Sequence, residues 1–152
     1  MPIERAVWDL TQMARDVCAG LASPDVDRVL DVDDAGAVEV TCDGAVVRRV
    51  MENLVSNGIR YSPASSHVRI SIASSDGVVR VAVHDEGDGV PREARAKLFE
   101  KFGRLTDEQD SASRSVGLSL AFCKLAIEAH GGTIGVDAGV PAGCTFWFEL
   151  PG

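Results

Sequence analysis

The chain has 152 residues, 45% of them hydrophobic, so it can bury one core without metal ions or cross-links. Its formal net charge of -8 argues against a nucleic-acid partner, because polyanions are bound by clustered positive charge. No apolar run reaches the roughly 18 to 20 residues that span a bilayer, and the chain does not start like a signal peptide. The four cysteines are scattered without metal-binding spacing, and we therefore predict a cytoplasmic protein with reduced thiols.

The first half of the chain predicts two helices with two strands between them. Apolar residues recur at helical spacing over residues 4–22, which predicts the first helix. The segments VDRVLDV and AVEVTC then alternate as two short strands around an Asp-Asp-Ala-Gly turn. A second helix follows Asp43 and ends at Ser62, because the residue before a proline leaves helical geometry.

The second half predicts two hairpins and two further helices. HVRISIAS and VVRVAVHD alternate around a Ser-Asp-Gly turn, and TIGVDA and CTFWFEL form the closing pair. Between the hairpins we predict a short helix over residues 91–102, a polar loop over residues 103–116 and a helix over residues 117–130. The order predicts an α+β fold over residues 1–152 as one domain, a two-layer sandwich with helices on one face of a mixed, mostly antiparallel sheet.

Polar residues on the second predicted helix favour a site for a metal ion and phosphate. Asn53 and Asn57 lie four residues apart and therefore share a face, and Arg60 lies one turn further along. Amide oxygens suit Mg²⁺, and a guanidinium group offers phosphate fixed, forked donors. A helix face that merely touches water would show the same pattern.

Two other stretches have the chemistry of a nucleotide site. In HDEGDGVP, Asp85 ends a strand and can accept a hydrogen bond from an amino group, while Gly87 and Gly89 let the backbone close on a flat ring. An ordinary acidic turn is the alternative. In SVGLSLAFCK, Gly117 lies at the predicted helix start, where free N–H groups and the helix dipole favour an anion. A simple helix cap by Ser115 is the alternative there.

The order and spacing of five motifs resemble the catalytic and ATP-binding domain of bacterial sensor histidine kinases, whose fold is shared with gyrase and the mismatch-repair ATPases. The motifs are ENLVSNGIRYS, DEGDG after a strand, KLFEKFGR, Gly-Leu-x-Leu after a polar loop, and AGCTFWFELP. The resemblance covers nearly the whole chain, from about Met1 to Pro151. It implies ATP or ADP as the ligand, together with Mg²⁺.

The resemblance also implies a role for each matched residue. Asn57 looks like the magnesium ligand and Asn53 the polar partner one turn earlier, while Arg60 replaces the lysine that usually stands beside the triphosphate. Asp85 matches the carboxylate that reads the adenine amino group, and Thr145 the threonine that supports this contact from a neighbouring strand. The remaining residues implied to contact the nucleotide are Tyr61, Gly87, Gly89, Arg104, Gly117, Leu118 and Ser119.

The phosphate turn departs from the family pattern Gly-x-Gly-Leu-Gly-Leu. Serine replaces two of the three glycines, at Ser115 and Ser119, whereas Gly117 is kept. A side chain restricts positive φ and keeps the backbone from approaching phosphate closely, although the Ser119 hydroxyl can itself donate to a phosphate. We expect a working but weakened triphosphate site, covered by a mobile lid at residues 103–116.

The family implies a domain that binds Mg·ATP and donates the γ-phosphoryl group to a histidine on a separate helical hairpin. The three histidines His67, His84 and His130 lack the sequence context of that acceptor, so we interpret each as structural. We expect the dimerisation hairpin to precede residue 1 in a longer kinase, with a response regulator downstream. By itself the chain is then a monomer that is unable to phosphorylate itself.

Two alternative functions stay open at this point. The serines of the phosphate turn motivate a degenerate module that binds nucleotide, or nothing, and serves as a regulatory platform. A serine kinase of the anti-sigma-factor type shares the fold and phosphorylates a small protein partner. The phenylalanine box at Phe99 and Phe102 favours the histidine kinase over this serine kinase.

Overall fold

The computed structural model describes residues 1–24, 26–33, 36–100, 111–138 and 143–152. The predicted α+β fold is confirmed. In chain order, its elements are β1 (Ala6–Asp9), α1 (Leu10–Leu21), β2 (Arg28–Val32), β3 (Glu39–Cys42), α2 (Gly44–Tyr61), β4 (Ser66–Ser75), β5 (Val78–Asp85), a 3₁₀ helix (Arg92–Phe99), α3 (Ser111–Ala129), β6 (Thr133–Ala138) and β7 (Cys144–Pro151).

The main sheet has five strands in the order β2-β4-β5-β7-β6. β2 runs parallel to β4 and the other neighbours are antiparallel, so the predicted mixed sheet is confirmed. Side chains of a strand alternate between faces. Ile70, Val81 and Phe148 lie on one face and are fully buried beneath the helices, which supply most of the remaining core. The predicted two layers are therefore the five-stranded sheet and one layer of helices, and β1 and β3 form a separate two-stranded sheet.

The opposite face of the sheet is polar and its charges are paired. Arg69 Nε lies 3.5 Å from Asp33 Oδ1, and Arg80 Nη1 lies 3.3 Å from Glu149 Oε2. The Arg80 guanidinium also stacks over the ring of Trp147, 4.4 Å from its centroid. Such exposed pairs contribute little stability, but they let this face stay in contact with water. The fold thus needs no second helix layer.

The predicted start of the first helix is wrong. Residues 6–9 form β1, which pairs antiparallel with β3, and the helix begins only at Leu10. The cause is a cap at Asp9, whose carboxylate accepts hydrogen bonds from the backbone N–H groups of Thr11 and Gln12 at 3.0 and 3.2 Å. Because β3 pairs with β1 and β2 with β4, the two strands predicted around the first turn do not pair with each other.

The second half follows the prediction more closely. Both hairpins are confirmed, and the first turns through Asp76 and Gly77, which have φ of 53° and 77°. The predicted helix at residues 91–102 is a 3₁₀ helix that ends at Phe99, whose ring packs edge-on against Phe146. Phe102 lies outside the described residues. Helix α3 begins at Ser111, inside the segment predicted as loop.

A buried histidine joins the end of α3 to the start of α2. His130 is 2% exposed, and its Nδ1 donates to the carbonyl oxygen of Ala126 at 2.7 Å. Its Nε2 accepts the backbone N–H of Asp43 at 3.0 Å. Both ring nitrogens are used by the neutral ring, which agrees with the interpretation of His130 as structural.

We predict that His130→Ala lowers the free energy of unfolding by about 2–4 kcal/mol, because it leaves a cavity and a buried N–H without an acceptor. Urea unfolding measures the loss. His67→Ala is the matched control, since the exposed ring of His67 bonds only to Asp31 among the described side chains, at 3.0 Å. That variant should stay within about 0.5 kcal/mol of the wild type. Equal losses in both variants would contradict the role given to His130.

Candidate functional site

A cleft of about 210 Å³ opens where β5 ends. Helix α2, the loop after β5 and strand β7 supply its walls. The lining residues are Asn57, Tyr61, Asp85, Gly87, Asp88, Gly89, Val90, Cys144 and Phe146. The structure thus brings together five residues that the sequence singled out from separate motifs, namely Asn57, Tyr61, Asp85, Gly87 and Gly89.

Close packing of α2 on the sheet brings the helix to this cleft. A Cβ atom added at Gly58 would lie 3.1 Å from a methyl group of Val68 and 3.6 Å from the Cβ of Asp85. The helix therefore lies directly against the ends of β4 and β5. Two residues of α2 consequently reach the cleft, namely Asn57, which precedes Gly58, and Tyr61, the last residue of the helix.

Asp85 is a buried carboxylate at the cleft wall, with 3% of its surface exposed. Its Oδ1 accepts the backbone N–H of Gly87 at 2.8 Å. Burial raises the pKa of Asp85, while the Gly87 hydrogen bond and the nearby His84 act in the opposite direction. A desolvated carboxylate held in one orientation is suited to accept a hydrogen bond from a donor that enters the cleft.

The loop after β5 comes too close to its neighbours for side chains at two positions. A Cβ atom at Gly87 would lie 2.5 Å from the carbonyl oxygen of Tyr61 and 2.9 Å from Oδ1 of Asp85. Gly89 has a φ of 81°, which side chains disfavour. These glycines let the backbone itself form the wall, so that a flat group has room to lie against it.

Asn57 lines the cleft and has a buried side-chain oxygen without a partner among the described residues. Its side chain is only 8% exposed, and its Oδ1 has no hydrogen-bond partner within the described part of the chain. A buried polar atom normally has a partner, so an oxygen of this kind is typical of a site whose ligand is a cation or a donor group.

Asn53 and Arg60 do not line the cleft. The Nδ2 of Asn53 lies 3.7 Å from the sulfur of Cys123 on α3, so this side chain links two helices. Arg60 is exposed on the last turn of α2, beside Tyr61, which is 41% exposed. A role for either residue at the nucleotide stays a prediction.

Thr145 is not beside Asp85. Asp85 lies opposite Cys144 in the β5–β7 pair, and His84 lies opposite Thr145. Because side chains alternate, Thr145 projects from the polar face of the sheet, where its Oγ1 lies 3.0 Å from Nδ1 of His84. The residue next to the carboxylate is Cys144, which sequence reasoning missed. In CTFWFEL, Cys144 alternates with the apolar Phe146, and this alternation indicates that both side chains lie on the buried face.

The residues predicted to contact phosphate are not among the residues that line the cleft in the described part of the chain. Gly117, Leu118 and Ser119 lie within α3, which begins at Ser111, so the predicted helix start at residue 117 is wrong. Only the first four N–H groups of a helix lack partners, and those of residues 117–119 come later. Arg104 and most of the predicted lid at 103–116 lie outside the described residues.

Sequence comparisons connect this geometry with known proteins. The profile of the family described as "Histidine kinase-, DNA gyrase B-, and HSP90-like ATPase" matches residues 42–152. The chain is 33% identical over 116 residues to sensor protein IrlS of Burkholderia pseudomallei, covering 76% of this chain and 25% of IrlS. It is 34% identical over 114 residues to sensor histidine kinase WalK of Bacillus subtilis, covering 74% and 19%. The chain spans a quarter or less of these two relatives.

Solved structures of similar shape lead to the same family. The mycobacterial sensor histidine kinase MprB superposes with a TM-score of 0.84 at 25% identity, covering 98% of each chain. Full-length ShkA, in complex with AMPPNP, gives a TM-score of 0.81 at 29% identity, covering 99% of this chain and 32% of ShkA. The chain therefore belongs to the histidine kinase-, DNA gyrase B- and HSP90-like ATPases, and it corresponds to the catalytic ATPase domain of sensor histidine kinases.

Proposed function

We propose that the chain binds Mg·ATP in the cleft at the end of β5 and donates the γ-phosphoryl group to a histidine on a separate helical hairpin. The convergence of Asp85, Gly87, Gly89, Asn57 and Tyr61 on one cleft carries this proposal. The AMPPNP complex of ShkA supports it, because this ATP analogue is bound by a structural relative of the chain.

Asp85 and the loop after it recognise the base. The carboxylate accepts a hydrogen bond from the adenine amino group, while Gly87 and Gly89 allow the flat ring to approach the backbone. The Gly87 N–H, 2.8 Å from Oδ1, fixes the carboxylate in place before the nucleotide arrives. This preorganisation lowers the cost of ordering the site upon binding.

Asn57 is suited to hold the magnesium ion, because its buried Oδ1 lacks a partner among the described residues and Mg²⁺ takes oxygen ligands. When bound, the ion neutralises charge on the phosphates. Arg60 and Arg104 supply further positive charge near the phosphates, and Asn53 supports Asn57 from one turn earlier. Gly117, Leu118 and Ser119 are the residues of α3 that contact the phosphates in this proposal.

The acceptor histidine belongs to another part of the same kinase or to a partner chain, and a response regulator receives the phosphoryl group next. We place this chain in the cytoplasm and expect it to be a monomer. In support, its four cysteines are buried and unpaired, as in a reducing compartment. No helix in the described ranges has the length and apolar character to cross a membrane.

Fusion to a histidine-bearing hairpin tests the whole function. The chain is fused to the C-terminal end of such a hairpin from a sensor kinase. It should then transfer the labelled γ-phosphoryl group of ATP to the hairpin. The resulting phosphohistidine is broken by acid and is stable in alkali. An acid-stable label would favour the serine kinase instead. If calorimetry with millimolar Mg·ADP gives no binding heat, the chain is a degenerate module and the proposal fails.

Asn57→Ala should remove the magnesium dependence of binding. We expect ADP to bind the wild type about tenfold more tightly with Mg²⁺ than without it, which corresponds to about 1.4 kcal/mol. The variant should bind equally in both conditions, at the magnesium-free affinity of the wild type. Calorimetric titration with and without a chelator measures this. If the variant still binds ADP more tightly with magnesium than without it, Asn57 is not the magnesium ligand.

Asp85→Asn should weaken ADP binding roughly hundredfold, equivalent to the loss of about 2–3 kcal/mol. In the variant, the amide oxygen at position 85 must accept the Gly87 N–H, so the amide NH₂ group faces the adenine amino group. Both of these groups are hydrogen-bond donors, and the contact is lost. Asp88→Asn, a change of an exposed residue in the same cleft, is the control and should stay within about threefold of the wild type. Similar losses in both variants would contradict a specific contact with Asp85.

The pH dependence of binding provides a second measurement on this variant. Burial raises the pKa of Asp85 above its ordinary value of 3.8, so affinity should fall as acidification protonates the carboxylate, beginning at a higher pH than for an exposed aspartate. The folded protein holds this proton more tightly than the unfolded chain. The carboxyl's contribution to stability is therefore present at low pH and lost as pH rises through the raised pKa. Asp85→Asn should bind independently of pH in this range and be no less stable at pH 7.

A further inference from the structure

Cys144 stands directly opposite Asp85 in the antiparallel pair of β5 and β7. Directly opposed side chains lie on the same face, with Cβ atoms about 4.5–5.5 Å apart. Cys144 is 3% exposed and, like Asp85, lines the cleft. Its sulfur therefore lies next to the carboxylate of Asp85, which in our proposal binds the adenine amino group.

The thiol acts here through its size. Burial and the neighbouring Asp85 raise the pKa of Cys144 to about 12, so it stays protonated. A buried protonated thiol behaves as a small apolar group and a weak hydrogen-bond donor. It is therefore suited neither to nucleophilic chemistry nor to metal binding, and it leaves the free oxygen of the carboxylate available to a ligand.

The surroundings of Cys144 offer little room to adjust. Phe146 follows on the same face of β7, is 3% exposed, and packs edge-on against Phe99 with ring centroids 6.2 Å apart. Close-packed rings of this kind resist displacement. Asn57 lines the same cleft, and its buried Oδ1, which lacks a partner among the described residues, independently favours a ligand at this place.

We propose that Cys144 is a specificity-determining residue, whose sulfur fills the space beside Asp85 and excludes purines that carry a substituent on the amino group. The inference rests on the proposed function and deepens it: the cleft selects adenine nucleotides with a free amino group over their N6-alkylated forms. One methyl group too many in a packed pocket commonly costs about 10- to 200-fold in discrimination.

The selectivity ratio, measured as the Kd of N6-methyl-ADP divided by that of ADP with Mg²⁺ present, tests the inference. The ratio should be about ten or more in the wild type. Cys144→Ala removes the sulfur, and the ratio should fall to about three or less, with ADP itself bound only slightly less well. Cys144→Val adds bulk at the same place and should weaken ADP about tenfold.

Cys123→Ala is the matched control, because Cys123 is fully buried but lies between α2 and α3, against Asn53. This variant should keep the wild-type ratio, whereas a general loosening of the fold would lower it as well. Thermal unfolding of each variant confirms that it is folded. If Cys144→Val does not fold, the ratio of Cys144→Ala decides. An unchanged ratio in Cys144→Ala, or a wild-type ratio near one, overturns the inference. A wild type that does not bind ADP refutes the proposed function instead.

Discussion

The hydrogen bond from the Gly87 N–H to the buried carboxylate of Asp85 is the constraint on which the site depends. A carboxylate that is 3% exposed is costly to the folded chain, and this contact offsets only part of that cost. The glycine must be present because a side chain would collide with Tyr61. The end of β5, the end of α2 and the loop after β5 are thereby held in one arrangement. Stability is given up here in exchange for a preformed acceptor.

The two faces of the five-stranded sheet have different roles. The helix-covered face carries the core and, at the end of β5, the cleft. The other face carries Arg69, Arg80 and their acidic partners, together with the His84–Thr145 contact. Strand alternation therefore places neighbouring residues of one strand in unrelated environments. Asp85 and His84 differ by one position, yet only Asp85 lines the cleft.

Much of the fold and the cleft at the end of β5 could be predicted, because both depend on local patterns. The alternation of the hairpins, the apolar stripe of α2 and the glycines after Asp85 each appear within a few neighbouring residues. The start of α1 could not be predicted this way, since the pairing of β1 with β3 is not a local property. The motif alone does not indicate which face Thr145 occupies, whereas the alternation with Phe146 and Phe148 places Cys144 on the buried side. The start of α3 has no distinct signal in a polar segment.

Asp43 lies outside the cleft and still serves three parts of the chain through separate atoms. Its Oδ2 accepts the N–H of Glu4 at 2.9 Å, its Oδ1 accepts that of Val46 at 3.3 Å, and its own N–H donates to His130. A short side chain with oxygen acceptors is needed for the first two contacts, whereas the third uses the backbone N–H, which every residue except proline supplies. Asp43 is therefore a residue whose side chain is fixed by the architecture of the chain and not by contact with a ligand.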